Sequence, residues 1–153
     1  MIIAESAPFI PNITKLSERI GINRVTLLSY LHYLKESGLI HMLYRESQGI
    51  TRFQKPEKIF LENTNLAYTF PIPKPDKGTL RETFFMNQLS FVHNVTMPVN
   101  GDFLVDGKYT FEVGGKNKTF PVTNTGKDIW IAADDIETGN GKKIPLWLLG
   151  FLY

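Results

Sequence analysis

The sequence predicts an α+β fold, and three observations carry that reading. Two segments near the N-terminus, Asn12–Ile20 and Asn23–Ser37, combine a capping residue with apolar residues at helical spacing. The C-terminal half alternates apolar and polar residues around turn signals, most clearly at Gly101–Lys116. Between the two, Pro71, Pro73 and Pro75 each pin their own backbone and push the preceding residue towards extended structure. The chain therefore divides into an N-terminal unit over residues 1–70, a Pro-rich linker over 71–77 and a C-terminal unit over 78–153.

Asn12 caps a first predicted helix, Ile13–Ile20, whose apolar positions are Ile13, Leu16 and Ile20, and Gly21 ends it. Asn23 caps a second, carrying Val25, Leu28, Leu31 and Leu34 at steps of three, and Gly38 ends that one. Two helices joined by a Gly-containing turn make a helix-turn-helix. Leu39–Arg45 and Lys58–Leu61 read as strands, and the polar stretch Glu46–Glu57 between them as a wing. The N-terminal unit is thus predicted to be a winged helix. Asn23, Arg24, Thr26, Tyr30 and Tyr33 lie off the apolar stripe, where they could reach DNA bases or phosphates. Arg45, Arg52 and Lys55 could reach the backbone from the wing. Against this, residues 1–70 carry 8 basic and 6 acidic side chains. So thin a positive excess makes a protein-packing module the competing reading.

In the C-terminal unit Gly78–Leu89 reads as a helix that puts Glu82 on the same side as Phe85, Met86 and Leu89. Val92–Met97 and Asp128–Ala133 read as strands, Asn140-Gly141 as a turn, and Ile144–Tyr153 as a final strand or short helix. The centre is a hairpin. Phe103 and Val105 on one strand, and Tyr109, Phe111 and Val113 on the other, must share a face. A three-residue loop, Val105-Asp106-Gly107, satisfies this by pairing Asp102 with Thr110. Asp102 and Glu112 then lie on one face, on a diagonal of about 7–8 Å. Two carboxylates so placed can share a hard cation such as Mg²⁺. The competing reading is an ordinary hairpin with a solvated polar face.

Several classes are excluded or disfavoured. With no cysteine, disulfides and thiolate metal sites are ruled out. Gly115-Lys116-Asn117 and Gly126-Lys127-Asp128 both fail the phosphate-loop pattern, so nucleotide is not bound by that route. His32, His41 and His93 show no ligand spacing. No apolar run is long enough to span a bilayer, and the N-terminus lacks the basic and apolar regions of a signal peptide. The expectation is a soluble cytoplasmic protein with no membrane partner.

The stretches Asn12–Gly21, Tyr30–Ile40, Lys55–Leu66, Gly78–Phe85 and Asp102–Lys118, in that order, resemble the C-terminal region of a group of bacterial and archaeal AAA-type ATPases. In that group an ATPase core is followed by a winged helix and a restriction-endonuclease-like domain, a region of unassigned function. The resemblance covers nearly the whole chain and lacks the ATPase core, so the chain is expected to be a truncated piece or a gene remnant. It implies a nuclease-like set: an acid on the helix (Glu82), an Asp (Asp102), then Glu-x-Lys. Here Glu112-Val113 is followed by Gly114, so the lysine's role would pass to Lys116 or to Lys118. That role is to orient the attacking water or stabilise charge on the phosphorane. Three functions follow as expectations. The first is a non-catalytic accessory region of an AAA-type ATPase that binds DNA, the ATPase core or another protein. The second is a Mg²⁺-dependent nuclease with Asp102 and Glu112 as metal ligands, Glu82 as support and Lys116 as the positioning base. The third is a small winged-helix transcription regulator.

Overall fold

The computed structural model describes residues 3, 6–45, 54–69, 74–120 and 128–152. The segments 46–53 and 70–73, which hold Arg52, most of the predicted wing, Pro71 and Pro73, lie outside the described residues. Helix α1 (Ile13–Ile20) starts at Asn12, whose side chain accepts the Lys15 N–H, and stops at Gly21 in the left-handed conformation (φ 75°). Helix α2 (Arg24–Glu36) starts at Asn23, which accepts the Thr26 N–H at 2.8 Å. The buried stripe of α2 is Leu27, Leu28 and Leu31, with Leu34 half-buried, while Val25 is exposed. The predicted spacing of three fails for a geometric reason. At about 100° per residue, steps of three drift steadily around the helix, whereas alternating steps of three and four hold one face. Ile20, expected inside, is exposed although its steps of three and four keep it on the face of Ile13 and Leu16; it is the last residue of α1.

Strands β1 (Ile40–Leu43) and β2 (Lys58–Leu61) pair antiparallel, Ile40 opposite Leu61 and Leu43 opposite Lys58. This ribbon is buried on both faces. Ile40, Met42 and Ile59 join Ile13, Leu27, Leu28 and Leu31 in one apolar cluster. Leu43 and Phe60, completely buried, join a second cluster with Phe85, Met86, Leu89 and Phe103. The second cluster lies under α4 (Lys77–Ser90), which follows the short helix α3 (Leu66–Thr69). Asp76 caps α4 by accepting the Thr79 N–H at 3.0 Å.

The larger sheet has the order β3-β4-β5-β6-β7: β3 (Val95–Thr96), β4 (Phe103–Val105), β5 (Tyr109–Gly114), β6 (Ile129–Ala133) and β7 (Lys143–Pro145). The first three strands are antiparallel, and β5, β6 and β7 run parallel. A 3₁₀ helix, Leu146–Phe151, closes the described chain. The result is a mixed α+β fold, N-terminal helices followed by a small β-sheet. Among the described residues no helix is long and apolar enough to cross a membrane. The ribbon and the sheet are stitched together by polar links as well. The Met97 N–H donates to the Tyr44 carbonyl at 2.7 Å. Lys58 on β2 pairs with Glu82 on α4 at 2.6 Å. His41 on β1 meets Glu62 at 3.2 Å and the Ser90 hydroxyl at 3.5 Å.

The β4–β5 hairpin corrects the predicted register. Phe103 pairs with Phe111 and Val105 with Tyr109, so the loop is Asp106-Gly107-Lys108. Asp102 therefore sits across from Glu112, not Thr110. The two registers differ by two residues and keep the same alternation, so the face argument could not separate them. Asp106 (φ 52°) and Gly107 (φ 65°) are both left-handed, and the Lys108 N–H closes the turn on the Val105 carbonyl. The Asp106 carboxylate fixes this by accepting from the Asn94 N–H at 2.9 Å and contacting His93 Nδ1 at 2.7 Å.

Two outcomes follow. Phe60→Ala should cost about 3–5 kcal/mol in urea melts, the range for deleting a buried phenylalanine from a packed core. A loss below about 1 kcal/mol would mean that the ribbon is not part of that core. His41 is held below its ordinary 6.5 by burial first, with the nearby Lys35 acting in the same direction and Glu62 opposing. The unfolded chain then binds the extra proton, so this contribution is present above 6.5 and is lost as pH falls below it. His41→Gln should flatten the acid limb of the pH–stability curve between neutrality and the mildly acidic range; an unchanged limb would contradict this.

Candidate functional site

Alternation along β5 decides which side chains can meet. Phe111 and Val113 face α4, and Phe111 stands 5.2 Å from the Phe85 ring, centroid to centroid. Glu112 therefore projects from the opposite face of the sheet. Asp102, just before β4, lies beside it, with its Oδ2 accepting the Val113 N–H at 2.8 Å. The cation that joins them is Lys118. Its Nζ is 2.7 Å from Glu112 Oε2 and 3.7 Å from Asp102 Oδ2.

Lys118 reaches this position over Gly114. A Cβ at Gly114 would stand 2.9–3.0 Å from the Cδ, Cβ and Cγ atoms of Lys118, so the stem of the lysine fills the space that a side chain at 114 would take. A turn holds it there, closed by the Lys118 N–H on the Gly115 carbonyl at 2.9 Å. Lys143 Nζ clamps the same turn through the carbonyls of Lys116 and Lys118 at 2.6 and 3.1 Å. Burial alone would lower the basicity of Lys118. The hydrogen bond to Glu112 and the fields of Asp102 and Glu112 outweigh it and raise the pKa above the ordinary 10.5. The ammonium is therefore charged at neutral pH.

The other predicted site residues go elsewhere. Glu82 does face what its helix packs on, but that is Lys58, and the sheet lies between it and the Asp102–Glu112 pair. Lys116 is exposed and forms no ion pair among the described residues. Among the described residues no group of three or more His, Asp or Glu side chains could hold a metal ion. Asp102 and Glu112 offer two carboxylates, and Lys118 already stands against both.

Of the residues predicted to touch nucleic acid, Asn23 spends its side-chain oxygen on the cap of α2. Thr26 is half-buried, and Tyr30 is exposed. Arg45 is exposed but pairs with Glu57 at 3.2 Å. Arg52 lies outside the described residues. Arg24 and Lys55 are exposed and line one cleft with Thr14.

A further cleft of about 410 Å³ went unseen in the sequence. Tyr68, Leu80, Phe84 and Trp147 line it, with Arg81 of α4 and with Asp134 just after the parallel strand β6. Arg81 donates to Asp134 at 3.0 Å and to Asp135 at 3.1 Å, and Trp147 donates to the Ile136 carbonyl at 3.2 Å. The paired acids directly after the apolar strand β6 were the available signal, since parallel strands gather loops at their C-terminal ends. A grouping of His41, Glu62 and Ser90 looks like a hydrolytic triad but is not one. Both contacts fall on the same ring nitrogen, Nε2, so the imidazole cannot relay a proton between them.

Compared with known protein families, curated proteins and solved structures, the chain matches none.

The ion triad makes a prediction with a defined sign. A group whose pKa is raised by folding contributes stability below its unfolded value and loses that contribution as pH rises through the folded one. Lys118→Met should therefore be less stable than the parent at neutral pH, because Asp102 and Glu112 are left facing each other. The gap should narrow as pH climbs beyond 10.5. Thermal melts at both ends test this, and a gap of constant size would contradict it.

Proposed function

We propose that this chain is a non-catalytic accessory region of an AAA-type ATPase, built from a winged helix and a restriction-endonuclease-like domain, that binds DNA or a partner protein. The observation that carries this reading is the separation of Glu82 from the other two nuclease-like acids. Asp102 and Glu112 are held by Lys118, and Glu82 is held by Lys58 on the far side of the sheet. A reactive centre of the expected kind would need all three acids to converge, and Glu82, paired with Lys58, does not join the other two. The element order supports the family reading: two capped helices, a two-stranded ribbon, a helix, and then a mixed sheet whose central hairpin carries the Asp and the Glu.

The test is a cleavage assay on single- and double-stranded DNA with Mg²⁺ or Mn²⁺. No cleavage is expected, and Glu112→Gln should change nothing. Cleavage that Glu112→Gln abolishes would overturn the non-catalytic reading. The ATPase assignment is tested by reading the coding sequence upstream, where a phosphate-loop motif is expected; its absence would remove that assignment.

One observation favours the second reading, a Mg²⁺-dependent nuclease. The lysine expected two residues after Glu112 is replaced in space by Lys118, so an Asp, a Glu and a Lys do share one sheet face. In that reading Asp102 and Glu112 would hold the ion, which would activate water, and Lys118 would take the role expected of Lys116.

A further inference from the structure

We infer that the cleft between α1, α2 and the segment before β2 is a phosphate-binding site made by Arg24, Lys55 and Thr14. These three residues come from separate parts of the chain. Thr14 is in the first turn of α1, Arg24 opens α2, and Lys55 precedes β2. All three line one cavity of about 320 Å³, whose remaining walls are Ile10, Pro11, Asn12 and Ile13. No carboxylate lines it, and neither Arg24 nor Lys55 forms an ion pair with an acid among the described residues. What sets Arg24 and Lys55 apart is that both line the same cleft, so their charges act together on whatever enters it. Two cations, a threonine and no carboxylate among the described residues that line the cleft suit an oxyanion with several acceptor oxygens. A guanidinium fork and a flexible ammonium suit phosphate together: the fork fixes orientation, and the ammonium supplies a mobile point charge.

The inference deepens the DNA-binding half of the proposed function and is independent of the acid–lysine pairing, so the two tests fail separately. Phosphate could reach the cleft as part of a nucleic-acid backbone or as the free ion. Both are assayed. A labelled DNA duplex is titrated by anisotropy at several salt concentrations, and inorganic phosphate is titrated against the amide signals of Thr14 and Arg24. The comparison is between the parent chain, Arg24→Gln with Lys55→Gln, and a charge-matched control, Lys74→Gln with Lys108→Gln. If the source is a backbone, the duplex binds the parent chain, and the double variant flattens the log–log salt slope by about 1–2 while the control leaves it. If the source is the free ion, phosphate moves those amides in the parent and the control but not in the double variant. The inference is overturned if neither probe binds the parent chain, or if the control loses as much binding as the double variant.

Discussion

Everything else in this fold depends on the β1–β2 ribbon being buried on both faces. A two-stranded ribbon alone is marginal in water, because one face is left wet. Here each face has its own partner. Ile40, Met42 and Ile59 pack on α1 and α2, while Leu43 and Phe60 pack on α4 and the central hairpin. Phe60 stands 5.7 Å from the Phe103 ring, and Phe103 stacks on Phe85 at 4.6 Å. Those aromatic contacts set the height of the hairpin beneath α4. They also set which residues turn away from α4, and so where Asp102 and Glu112 emerge.

Electrostatics at the site follows from that layering. A helix carboxylate and two strand carboxylates can share an ion only if they reach the same side of the sheet. Phe103 and Phe111 take the side facing α4, so Asp102 and Glu112 take the other, and Glu82 turns to Lys58. Each acid then finds a lysine, and the pairing is a local consequence of the fold. The Lys118 stem needs the bare backbone of Gly114 to pass, so the departure from Glu-x-Lys and the arrival of Lys118 are two aspects of one geometric fact.

Much of this was legible in the sequence, and the failures have specific causes. The caps at Asn12 and Asn23, the helix over 78–89 and the hairpin around Gly107 all stand where local chemistry put them, because a cap or a turn is decided by neighbours within four residues. The shared face of Asp102 and Glu112 was legible from alternation, but their register was not, since a slip of two residues preserves the pattern. The partner of Glu82 was illegible because it is tertiary, a lysine 24 residues away on a strand; that Lys118 and not Lys116 meets the two acids stayed open because it depends on a turn that folds back. The aromatic walls of the cleft at Tyr68, Phe84 and Trp147 were illegible for the same reason, as they come from three elements far apart in the chain; only the acids after β6 hinted at it.

Trp130 and Trp147 are the two tryptophans, and they lie in β6 and in the 3₁₀ helix that follows β7, on the side of the larger sheet. Leu31 is buried only in the cluster on the opposite face of the ribbon. Urea unfolding of Leu31→Ala, followed by tryptophan fluorescence, therefore asks whether a loss in one core is felt in the other. The account predicts that the fluorescence midpoint falls together with the helical signal in circular dichroism, in a single transition. A fluorescence midpoint left where it stands in the parent chain, with only the helical signal shifted, would show two independently stable cores and contradict it.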